Sequence, residues 1–109
     1  MEKLTLSRPT LRWRAQMDED DHFFSHEIIH ESDKLLDSYL SALEKALDDE
    51  AIWHAIEKVV TGFDALNVDY EFFIREQEHA ELALYIKRAA EAAGMIYEGD
   101  VTEEWRMEW

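Results

Sequence analysis

Residues that reverse or break a chain are scarce here. Three glycines and one proline are spread over 109 residues. A chain with so few turn formers folds into a small number of long elements. Those elements are legible as apolar stripes of helical period. Ile28, Leu35, Leu36, Tyr39, Leu40, Leu43 and Leu47 share one face of a helix expected over about Asp21 to Leu47. Ser32 could cap a fresh start within it, near Glu31-Ser32-Asp33. Ile52, Ile56, Val59, Phe63 and Leu66 form the stripe of a second helix, about Glu50 to Leu66, flanked by Trp53 and Val60. Gly62 inside that helix lowers its propensity and marks a close packing contact. Asn67-Val68-Asp69 reads as the next turn. Phe72 to Ile74 is open between helix and strand, because three residues fix no period. A third helix runs from Glu76 to Ala93 with Leu82, Ile86, Ala89, Ala90 and Ala93 inward. Gly94 is placed as the residue just past its end, with Lys87 and Arg88 near the negative end of the dipole.

The N-terminal stretch has a different period. Leu4 and Leu6 alternate with polar neighbours, as do Leu11, Trp13 and Ala15, with Arg8-Pro9 between the two runs. Alternation of two predicts extended chain with a bend at the proline. The fold class expected is therefore mainly α: one domain with a three-helix, up-down-up bundle-like core, an extended, strand-like N-terminal arm and a short ordered C-terminal tail.

Charge narrows the function. The formal net charge is −15, from 26 acidic against 11 Lys and Arg residues. Carboxylates at this density repel phosphate, which argues against direct nucleic-acid binding and against anionic membranes. No apolar run approaches a membrane span. Without cysteine there are no disulfides or thiolate metal sites. A cytoplasmic protein is the default expectation. The basic residues cluster at the start, where Lys3, Arg8, Arg12 and Arg14 face Glu2 alone within the first sixteen positions. That arm is expected to lie against the acidic helices of its own domain.

Three patterns could carry chemistry. His26-Glu27-Ile28-Ile29-His30 matches the H-E-x-x-H spacing in which two histidines hold Zn²⁺ and the glutamate activates water. At about 100° per residue, however, His26 lies beyond the edge of the apolar stripe and His30 nearly opposite it, so a solvated polar face is favoured over a zinc hydrolase. Glu-x-x-His pairs (Glu19/His22, Glu27/His30, Glu76/His79) have the spacing used by carboxylate–histidine metal sites in bundles. Only His79 falls within a stripe, which makes Glu76 and His79 the first candidates of that alternative, ahead of His26 and His30. Ser25, Ser32, Ser38 and Ser41 take polar helix positions. No phosphate-binding glycine loop and no nucleophile elbow is present, so catalysis is not favoured and no cofactor is expected.

The remaining pattern is the acidic surface. Asp18, Glu19, Asp20 and Asp21 read as the dipole-matched start of the first helix, and Asp33, Asp37, Asp48, Asp49, Glu50 and the run from Glu71 to Glu81 put carboxylates on every helix. Such a surface keeps a protein soluble. It could also clamp a basic protein, as small acidic helical proteins do when they occupy a groove meant for phosphates; this is an analogy of physical character. The reading favoured is non-catalytic protein binding of an inhibitor, immunity or adaptor kind. Asp18 to Asp21 and Asp48 to Glu50 would supply steering, and Trp53, Trp105 and Trp109 affinity. Trp105, Met107 and Trp109 could instead fold back on the chain's own core. Self-association is left open.

Overall fold

The computed structural model describes residues 8–18, 26–70, 74–95 and 97–103. Among these the chain is mainly helical and contains no strand. Among the described residues four helices follow in order: α1 (Pro9–Asp18), α2 (His26–Lys45), α3 (Asp49–Asp69) and α4 (Glu76–Ala92). Among the described residues no helix is long and apolar enough to cross a membrane.

The three expected stripes are inward. Leu36, Tyr39, Leu40 and Leu43 of α2, Ile52, Ile56, Val59 and Phe63 of α3, and Leu82, Ile86, Ala89 and Ala90 of α4 are buried in one apolar cluster. α2 and α3 share the most extensive helix–helix interface. α2 runs without a break through Ser32, whose side chain is fully buried rather than solvated: a small residue is what the interior accepts there. It ends earlier than expected. Residues 46–48 form the connection, because Asp48 takes an extended conformation (φ −153°) to cap α3, its side chain accepting from the Ala51 N–H at 2.9 Å. Leu47 is thereby removed from the stripe and left 96% exposed.

Gly62 admits a close contact between α3 and α2, since a Cβ built there would lie 2.6 Å from Leu35 Cδ2. α3 continues through the expected turn at Asn67 to Asp69. No glycine or proline stops it, and buried Asn67 uses its side-chain carbonyl to accept from the Ile74 N–H at 2.8 Å, tying down the connection to α4. Residues 71–73 lie outside the described residues; Ile74 is buried. Gly94 closes α4 as expected. At φ +110° it donates to the Glu91 carbonyl, while Met95 donates to that of Ala90: the paired bonds of a left-handed helix stop. Met95, Val101 and Thr102 are buried in the segment that follows.

The N-terminal arm departs most from expectation. Residues 9–15 belong to α1 and are not extended. Pro9 opens this helix, where its fixed φ suits the first turn and its missing N–H costs nothing. Among the described side chains of α1, Pro9, Thr10 and Trp13 are buried, Trp13 fully, and Leu11 is about half exposed. Counting only apolar residues gives a period of two; counting the residues that face inward gives a helix. Residues 1–7, with the alternation of Leu4 and Leu6, lie outside the described residues.

Candidate functional site

α1 lies on α2 and α4, and its arginines meet their carboxylates. Arg8 pairs with Asp33 at 3.1 Å and Asp37 at 2.7 Å, one turn apart on α2. Thr10 donates to the same Asp33 oxygen at 2.6 Å, and Arg14 reaches Asp33 at 3.4 Å. On α4, Arg12 donates to Glu78 at 3.0 Å and to both oxygens of Glu81. The Trp13 indole N–H donates to Glu81 at 3.3 Å. Glu78, itself buried, also accepts from the Arg75 N–H at 3.2 Å at the start of α4. Burial by itself would lower the Arg8 guanidinium, but bonds and charge from Asp37 and Asp33 outweigh it and hold the pKa above the ordinary arginine value. Arg12 is raised first by its bond to Glu81. Asp33, Asp37, Glu78 and Glu81 thus hold the fold together, as the basic arm predicted.

A second acidic region surrounds the start of α3. Asp48, Asp49 and Glu50 are exposed there, and the Asp49 and Glu50 charges match the helix dipole. Half-buried Trp53 stands one turn further on. Its ring meets Tyr97 edge to face, with centroids 5.0 Å apart and planes at 89°. Tyr97 is 42% exposed. The Trp53 ring is bordered by two recesses. One is an open dip with Asp48, Glu50, His54 and Glu57 at its walls; the other, a half-open recess of 300 Å³, is lined by Trp53, Tyr97, Asp100, Val101 and Glu103. Among the described residues, no lysine or arginine pairs with Asp48, Asp49, Glu50 or Glu103; His54 Nδ1 lies 3.9 Å from Glu57.

The sequence selected Asp48, Asp49, Glu50 and Trp53, and the fold brings these together. It did not select Tyr97, Asp100 or Glu103, which arrive from the far end of the chain. The only hint was Gly94, whose helix stop must turn the following residues back across the bundle. Asp18 closes α1 rather than opening a helix. Glu19, Asp20, Asp21, Glu71, Trp105 and Trp109 lie outside the described residues.

The metal candidates fall at the starts of α2 and α4. In the H-E-x-x-H segment, Glu27 and His30 are exposed while Ile28 and Ile29 between them are buried. Glu27 accepts from the Tyr70 hydroxyl, which pushes the Tyr70 pKa up to about 12. The His26 side chain lies outside the described residues. Glu76 is exposed and His79 half-buried at the start of α4. Among the described residues, no group of three or more His, Asp or Glu is placed to hold a metal ion.

Comparison with known proteins gives no match: no family model, no curated sequence and no solved structure is similar to the chain.

Proposed function

We propose that this protein is a non-catalytic binding module whose acidic surface at the start of α3 engages a basic protein. The observation that carries the reading is the division of the carboxylates. One set is taken by Arg8, Arg12 and Arg14, while Asp48, Asp49, Glu50 and Glu103 are exposed around an aromatic pair and, among the described residues, pair with no lysine or arginine. Clustered like charges are mutually repulsive in the folded chain, and a cationic partner relieves that repulsion. The charge steers the encounter, and the rings supply desolvated contact area. An inhibitor, immunity or adaptor role in the cytoplasm, including mimicry of a phosphate backbone, is the finer form of this proposal.

The test is recovery of partners at low ionic strength with the wild type and with an Asp49→Asn/Glu50→Gln/Glu103→Gln variant. The wild type should retain a basic protein that is released as salt rises past the screening range, and the variant should not. Recovery of the bait alone would end the reading and leave self-association as the role to examine.

A further inference from the structure

The α2–α3 pair carries a knob and a groove of matching chemistry. The knob is Leu47, 96% exposed in the connection between the two helices. Backbone bonds on either side hold it there: the Ala46 N–H donates to the Leu43 carbonyl at 3.2 Å, and the Ile52 N–H to the Asp48 carbonyl at 3.2 Å. Asp48, Asp49 and Glu50 follow it directly. The groove lies between the helices and is lined by Leu35, Ser38 and Ala42 of α2 and by Ala55, Lys58 and Val59 of α3, with a volume of 180 Å³. That is below the ~300 Å³ at which metabolite pockets begin and suits a single apolar side chain. Its walls contain no carboxylate, in a chain with 26 acidic residues. Its charged group is Lys58, which is exposed and, among the described residues, forms no ion pair.

We propose that the occupant of this groove is a second copy of the chain, whose Leu47 enters it while its Asp49 meets Lys58. An apolar peg followed by carboxylates is complementary to an apolar hole rimmed by a cation. The contact can also be reciprocal. Leu47 lies just past the last turn of α2 and the groove opens at Ala42, so knob and hole are about 10 Å apart along the helix pair. A two-fold axis between them seats both leucines at once and closes the pair, leaving no free end to extend. Net charge opposes the pairing, since each copy carries −15. Salt at about 0.15 M shortens the reach of that repulsion to about 8 Å and leaves the apolar contact in place. Association should therefore rise with salt, the reverse of a complex with a basic protein, so the pairing is independent of the binding function proposed above.

Sedimentation velocity of the full chain tests this, from micromolar to millimolar protein, at low salt and at about 0.15 M. The wild type should move from monomer towards dimer with concentration, and further at the higher salt. Leu47→Ser, at a position the fold leaves in water, should keep the wild-type melting temperature and weaken the dimer about tenfold or more. Lys58→Glu should weaken it too. Lys58→Glu combined with Asp49→Lys, which returns the net charge to −15, should restore it. A chain that stays monomeric throughout, or a dimer indifferent to Leu47→Ser, would overturn the proposal. So would a double variant that recovers nothing of what Lys58→Glu loses.

Discussion

The carboxylates facing α1 and those around Trp53 are the same groups put to opposite uses. Asp33, Asp37, Glu78 and Glu81 are held by three arginines and bridge helices distant in sequence. Asp49, Glu50 and Glu103 add charge to the surface and, among the described residues, form no ion pair with another helix. Net charge alone would class the whole surface as one acidic face. The difference shows that function must be sought where charge remains after the fold has taken its share, and that a basic arm near an acidic body serves first as the body's own counterion.

The largest expected contrast lies between the two tryptophans. Trp13→Ala empties a fully buried site and should lower stability by about 3–5 kcal/mol in urea unfolding. Trp53→Ala, at a half-buried position, should cost about 1–2 kcal/mol. Equal losses would break the division into a structural and a functional side.

Arg8→Met sharpens it next. The change takes the cation from Asp37, leaves Asp33 with Arg14 alone and should cost about 2 kcal/mol. Glu50→Gln should stay within about 0.5 kcal/mol of the wild type and lean towards stabilisation at low salt. An equal penalty for both would mean that the α3 carboxylates also carry the fold.

Alkali probes the core beneath the arginines. Burial raises the Tyr39 hydroxyl, which donates to the Ile86 carbonyl at 2.7 Å. It raises Tyr85 too, against the opposing charge of Arg8. Each folded pKa exceeds the ordinary value of 10.0, so their contribution is complete below pH 10 and lost as pH rises above it. Urea midpoints measured from neutral pH upward should fall beyond that point, and Tyr39→Phe should lose about 1 kcal/mol at neutrality but decline less steeply in alkali. Parallel curves would contradict this.

Gly62→Ala gives the smallest effect. It gains about 1 kcal/mol of helix propensity but pushes on Leu35 Cδ2. Leu35 is half-buried beside a groove bordered by Ser38 and Ala42, so its side chain has room to turn. The net change in melting should be near zero, and Gly62→Val should be clearly destabilising. A large loss for alanine would show α2 and α3 locked at that contact.

The three longer helices were legible because their inward residues are apolar and recur at 3.6. So was the stop at Gly94, since few other residues hold a positive φ. α1 was not, because part of what it turns toward its neighbours is Arg8, Thr10 and Arg12, which no apolar count includes. Leu47 misled for the converse reason: it continues a stripe beyond the point where Asp48 must leave the helix to cap α3. Of the candidate site, Asp48 to Trp53 could be read along one helix. The other half could not, because the pairing of Trp53 with Tyr97 spans most of α3 and all of α4 and leaves no local pattern.

That separation has a thermodynamic corollary. A ligand gripping both rings meets them together only once the intervening helices have docked, so it selects the native ensemble and leaves the denatured one untouched. Occupancy would raise the melting temperature by mass action, and an excised α3 peptide would be a poor competitor for the intact chain.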